Sequence, residues 1–239
     1  MIDTLNVAFG TTPQNCEFCD EFSGGVNNGF YARYQDCPET RFVHSTENFC
    51  VFPSVGQLVD GYLLVVPKDH YGTFDELPTQ LVAELADTSE RVRAVLSKIY
   101  GPCISYEHGA RGPLNGGCGI YHAHLHVVPL TKVTDPIHAL KLRFPHVELT
   151  HMNEMSKRGA GLSSYLFYQD SKARLYLFDT GPLPSQYMRK LLADSLGIQD
   201  WDWRSAGREE RLLATIRQLS KQFSDTKESA LTSDTNALR

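Results

Sequence analysis

The order of elements along the chain predicts an α+β fold: an antiparallel sheet with one long helix and an added C-terminal helical segment. Three observations carry this. Short apolar, β-branched runs recur between turn residues, as strands do. One stretch in the first half has sustained helical periodicity, spanning residues 77–101. The strands are not each followed by a helix, so the βαβ alternation of a parallel sheet is missing. With 239 residues the chain is long enough for one well-packed domain plus an extension. The expected division is an N-terminal arm (1–15), a core domain (16–149) and a C-terminal extension (150–239).

The elements follow in order. Residues 1–15 read as a loose arm, and "NCEFCDEFSGG" places Cys16 and Cys19 in C-x-x-C spacing. "NFCVFPSVG" (48–56) and "GYLLVVPK" (61–68) read as two strands joined by the turn-rich "GQLVDG". In the helical stretch Leu81, Leu85, Val92, Leu96 and Ile99 share a face, and Gly101-Pro102 stops the helix. "CISYEHG" (103–109) reads as a strand, and the Gly-rich "ARGPLNGGCG" leads into the apolar run 121–129. "SYLFYQD" and "ARLYLFDT" form a hairpin around Asp170–Lys172. "PSQYMRKLLADSLG" and "REERLLATIRQLS" read as helices, and the polar end from Lys221 as a frayed tail.

Composition narrows the function. The formal net charge is −5, so no global basic field attracts polymeric nucleic acid. No run approaches the roughly 18 apolar residues of a membrane span. The N-terminus lacks the basic and apolar regions of a signal peptide, so the chain is expected in the cytoplasm, with its six cysteines reduced.

The stretch with most chemistry is "YHAHLHVVP" (121–129). Read as a strand, it turns His122, His124 and His126 to one face and Ala123, Leu125 and Val127 to the other. Alternate residues lie about 6.5–7 Å apart, which suits three separate roles better than one triple metal ligand. The preceding Gly-rich loop presents N–H groups to an anion or is a plain connection. C-x-x-C is half a zinc site or a pair of free thiols. Cys37, Cys50, Cys103 and Cys118 read as small apolar fillers. Lys68 and Arg111 are candidate phosphate contacts. Ser185, Gln186 and Arg189 head a helix, either as an anion site or as ordinary capping. Trp201 and Trp203 read as core or interface.

Two blocks together carry a resemblance. "HAHLHVV" fits H-φ-H-φ-H-φ-φ, where φ is apolar. "GYLLVVPKDHY" is similar to G-H-x-L-x-x-P-K-x-H, with Tyr62 in place of the usual histidine. In this order, with a helix and a strand between, they resemble the histidine-triad (HIT) superfamily of nucleotide hydrolases and transferases over residues 16–131. The resemblance implies a HIT-like catalytic domain acting at the α-phosphate of a nucleotide derivative. His124 would be the nucleophile, and His126 with nearby backbone N–H groups would meet charge on the phosphoryl oxygens. It further implies a structural zinc held by Cys16, Cys19, His70 and His122, a small nucleotide-derived substrate and a possible homodimer.

Departures from the pattern concern the groups that read the substrate. Gly117-Cys118-Gly119 replaces a Gly-Gln-Ser/Thr stretch, His108-Gly109 replaces Asn-Gly, and Ser54 stands where a ribose-binding acid is usual. The candidate substrate-binding residues are therefore Lys68, His108, Arg111, Cys118 and Gly119. Restoring Gln at 118 and Ser at 119 is expected to raise turnover of simple substrates. A nucleotide-binding regulator with little turnover and a cupin-type metal enzyme are the alternatives.

Overall fold

The computed structural model describes residues 16–24, 30, 31, 34, 41–111, 119–131 and 134–236, with side chains as far as residue 224. The expected arm and Cys118 lie outside them. The framework is one eight-stranded sheet in the order β1-β2-β3-β5-β4-β7-β8-β6, antiparallel at every pairing. The strands are β1 (His44–Ser45), β2 (Phe49–Pro53), β3 (Leu63–Pro67), β4 (Cys103–Ala110), β5 (Leu125–Pro129), β6 (His146–Leu149), β7 (Ser164–Gln169) and β8 (Leu175–Asp179).

Side-chain alternation sorts each strand between two apolar cores, so both faces of the sheet are covered. Phe49, Val51, Leu63, Val65, Leu125 and Val127 point to one face. There they meet α2 (Thr79–Tyr100) through Val82, Leu85, Val92 and Leu96. Gly101, at φ +92°, ends that helix in a conformation that L side chains rarely adopt. Cys50, Phe52, Leu64, Val66 and Val128 point to the other face. That face is covered by α1 (Glu17–Phe22), α3 (Ile137–Arg143) and α5 (Tyr187–Ser195), through Phe18, Leu140, Met188 and Leu192. α4 (Glu154–Gly159) and α6 (Glu209–Asn236) complete the chain; Leu219 and Phe223 of α6 join the α2 side.

The expected boundary at 149/150 crosses a continuous sheet, because β7 pairs with β4 from Ser105↔Gln169 to Ala110↔Ser164. The last helix carries the backbone from Glu209 to Asn236. Among the described residues no helix is long and apolar enough to cross a membrane.

Candidate active site and metal centre

The ladder of β5 begins only at Leu125, yet the alternation extends back through His122. Ala123 donates its N–H to Tyr71 O at 2.7 Å, which keeps the segment extended. Ala123, Leu125 and Val127 enter the α2-side core. His122, His124 and His126 are all buried on the opposite side, and each meets a different environment.

His122 faces a cluster that also contains Cys16, Cys19 and His70. Their four ligand atoms all lie within 4.8 Å of one another. His122 Nδ1 is 3.3 Å from Cys16 Sγ and 3.6 Å from Cys19 Sγ, and His70 Nδ1 is 3.4 Å from Cys19 Sγ. Around a tetrahedral zinc, sulfur and nitrogen ligands stand about 3.6 Å apart. His122 Nε2–H donates to Pro67 O at 2.8 Å, which leaves Nδ1 as the free lone pair toward the sulfurs. The donor set and its spacing fit zinc. Burial and the neighbouring Cys16 push the Cys19 thiol up to about 12.

His124 donates Nδ1–H to the carbonyl of His122 at 2.6 Å. A carbonyl only accepts, so the tautomer is set and Nε2 keeps its lone pair. Burial holds the imidazole below its ordinary pKa, against the pull of that carbonyl. His126 lies next to it, with ring centroids 4.7 Å apart. Its Nδ1 is 2.8 Å from the Tyr62 hydroxyl, which is 2.6 Å from the Tyr106 hydroxyl. The Tyr106 ring stacks on His126 at 4.4 Å, because β4 and β5 set the two residues opposite each other. Burial and the nearby His124 keep His126 well below its usual range.

The pocket above these two histidines is walled by Phe18, Phe30, Leu64 and Trp203, with Arg41, Gln186 and Arg189 at its polar edge. Arg41 is held by Glu21 in a two-pronged ion pair at 2.7 and 2.8 Å. Of the predicted binding residues, His108 is brought beside the triad. It is buried, shares a small cavity with His122 and His124, and lies 3.3 Å from Ser164 Oγ. Burial and His124 lower it to about 4. Gly119 sits at φ +88°, and a Cβ added there would run into the Arg204 guanidinium.

Lys68 and Arg111 are not brought to the triad. Lys68 donates to Thr46 O and Glu47 O at 2.6 and 2.9 Å, in the turn between β1 and β2. Arg111 pairs with Asp75 and donates to Gly159 O and Leu162 O, tying β4 to α4. Their charge made them candidates, but carbonyls at chain turns claim them. Sequence reading passed over Tyr106, which stacks on His126, while Trp203, read as core or interface, packs against an apolar cluster and also lines the pocket. Tyr106 and His108 share a face of "CISYEHG" by alternation, and that was the available signal.

Part of the chain is similar to known proteins. Residues 27–136 match the family model described as the scavenger mRNA decapping enzyme C-terminal binding region. An uncharacterized HIT-like protein of Methanocaldococcus jannaschii is 26% identical over 116 residues, which is 48% of this chain and 78% of that protein. Among solved structures, a HIT family protein of Bacillus anthracis is 20% identical, with 49% of this chain and 74% of that one covered and a TM-score of 0.39. A zinc-bound histidine triad family protein of Mycobacterium smegmatis is 25% identical, with coverage of 48% and 74% and a TM-score of 0.33. The triad sequence, the matched family model and the HIT-like relative together make residues 27–136 of this chain similar to the histidine-triad superfamily.

Proposed function

We propose that the protein is a nucleotide hydrolase or nucleotidyltransferase acting at the α-phosphate of a nucleoside phosphate derivative. The observation that carries this is the 2.6 Å bond from His124 Nδ1 to His122 O. It leaves Nε2 unprotonated in a buried, neutral imidazole, the state a nitrogen nucleophile needs. The Nε2 lone pair attacks phosphorus, the bond to the leaving oxygen or nitrogen breaks, and that atom departs with the electron pair. The proton stays on Nδ1, hydrogen-bonded to the His122 carbonyl, so the intermediate is a nucleotidyl-imidazolium. Water or another acceptor then attacks phosphorus, the P–N bond breaks, and His124 is regenerated. If Tyr62 donates to His126 Nδ1, His126 presents Nε2–H to the developing charge on the phosphoryl oxygens.

Cys16, Cys19, His70 and His122 would hold a structural zinc, whose chemistry here is to fix the segment carrying His124. A cupin-type centre is less well supported: His122 Nδ1 faces sulfur while His126 Nδ1 faces the Tyr62 hydroxyl, so the histidines do not converge on one ion.

The test is a screen of nucleoside phosphoramidates, dinucleoside polyphosphates and a capped dinucleotide, with rapid acid-free quenching and mass spectrometry. A nucleotidyl adduct on His124, and its loss with turnover in His124→Asn, is expected. Full activity in His124→Ala would sink the mechanism. Tight nucleotide binding without turnover of any substrate would identify a regulator instead.

A further inference from the structure

The C-terminal extension contributes a charge to the triad pocket that no carboxylate among the described residues neutralises. Arg189, on α5, is only 4% exposed and lines the pocket with His124 and His126. Its Nε donates to Trp201 O and its Nη2 to Gly56 O. Among the described residues Nη1 makes no hydrogen bond, and no carboxylate forms an ion pair with the group. Arg41 is the contrast: equally buried and lining the same pocket, it has Glu21. Glu17 also lines the pocket, but it is not paired with Arg189. Arg208, which donates to Gly56 O at 3.2 Å, adds a like charge nearby.

A buried guanidinium without a counter-ion is costly, and a fold keeps one where a ligand supplies the missing charge. Its planar fork matches the oxygens of a phosphate. The position suits that task. The Arg189 guanidinium carbon is 5.9 Å from the centre of the Tyr62 ring, whose hydroxyl holds His126. The two backbone carbonyls fix the side chain's inner edge, so its remaining donors need no reorganisation on binding.

We propose that Arg189 is the phosphate-binding cation of the triad pocket, so that the substrate's phosphate supplies the counter-charge that no described carboxylate provides. This rests on the substrate class proposed above and adds the residue that reads it. The sequence departures at 118 and 119 remove side-chain contacts that the superfamily pattern usually supplies, and Arg189 brings one from the C-terminal segment.

The experiment measures equilibrium binding of adenosine, AMP and inorganic phosphate at fixed ionic strength to wild type, Arg189→Gln and Arg189→Lys. Arg174→Gln, an equal charge change on an exposed residue outside the pocket, controls for the general field. Arg189→Gln should weaken AMP at least about tenfold and leave adenosine unchanged. Arg189→Lys should recover part of the loss, and Arg174→Gln should change neither. Unchanged AMP affinity in folded Arg189→Gln, or an equal loss for AMP and adenosine, overturns the assignment. Should Arg189→Gln fail to fold, phosphate must still raise the unfolding midpoint of wild type above that in chloride of equal ionic strength, and raise Arg189→Lys by less. Equal shifts overturn it too. AMP binding that depends on Arg189 without any adduct on His124 keeps this assignment and removes the catalytic reading. An adduct that forms on His124 at the wild-type rate in Arg189→Gln, with AMP affinity intact, does the reverse.

Discussion

The Tyr62 hydroxyl lies 2.8 Å from Nδ1 of His126, inside the sheet and away from water. Tyr62 occupies the position where the HIT pattern usually carries a histidine, and the structure gives it a partner in the triad itself. Tyr62→Phe keeps the ring but removes the oxygen that both His126 and Tyr106 use. Leaving buried polar atoms without that partner should cost about 1–3 kcal/mol of stability, read from denaturant unfolding. The value of kcat should fall on the order of tenfold, the effect of about 1.4 kcal/mol lost from the transition state, with KM changed less. Wild-type kcat in the variant would show that the tyrosine serves packing alone.

Gly119 cannot simply be returned to the superfamily's usual hydroxyl residue. Its φ of +88° strains any L side chain, at roughly 1–2 kcal/mol. The new Cβ would also displace the Arg204 guanidinium. Gly119→Ser should therefore lower the unfolding midpoint and leave turnover of simple phosphoramidates unimproved, contrary to what the motif comparison alone suggests. Comparing Gly119→Ser with Gly119→Ser/Arg204→Ala separates the two causes. Relief by the second substitution assigns the damage to the collision, and its persistence assigns it to the backbone.

What could be read in the sequence follows from how local each signal is. The face of α2 and the alternation of β2, β3 and β4 are written in neighbouring residues, so periodicity finds them. The hairpin of β7 and β8 is also local. Its pairing to β4, which merges the extension with the sheet, joins residues some sixty positions apart and is set by tertiary packing. β1 and β6 were missed because one has two residues and the other is an exposed edge. In the site, the three histidines announce themselves by spacing. Lys68 and Arg111 show why charge alone does not: the same residue types serve carbonyls and carboxylates at chain turns. Arg189 was visible only as the head of a helix, since its burial depends on Gly56 and Trp201, which converge on it from distant segments.

The cysteine–histidine cluster makes a metal prediction that does not require activity. Protein purified without chelator should contain about one zinc per chain by elemental analysis. Cys16→Ser should lose most of it and unfold roughly 10 °C lower, because a structural ion contributes its binding energy only to the folded state. His70→Ala should behave alike, whereas Cys50→Ser, which changes a buried cysteine outside the cluster, should keep its zinc. Metal-free wild type of unchanged stability would make the four residues an ordinary thiol–imidazole cluster.

Glu107 should give the fold a distinctive pH dependence. It is buried on the face of β4 opposite His108, accepting hydrogen bonds from the Tyr165 hydroxyl at 2.7 Å and the Phe74 N–H at 2.8 Å. Burial pushes its carboxyl up to about 8, against the pull of both hydrogen bonds, while Asp75 and Glu76 nearby add to the rise. Between the ordinary carboxyl value near 4.5 and about 8 the folded chain therefore holds a proton that the unfolded chain has released. Stability from this group is greatest below that window, falls as pH rises through it, and levels off above pH 8, for a total on the order of a few kcal/mol. Glu107→Gln imitates the protonated form at all pH values. Urea unfolding of both proteins from pH 5 to 9 should show wild type losing stability relative to the variant across this range, with the gap widest at pH 9. Parallel curves would mean that the carboxylate is already ionised in the folded state and stabilised by its two donors.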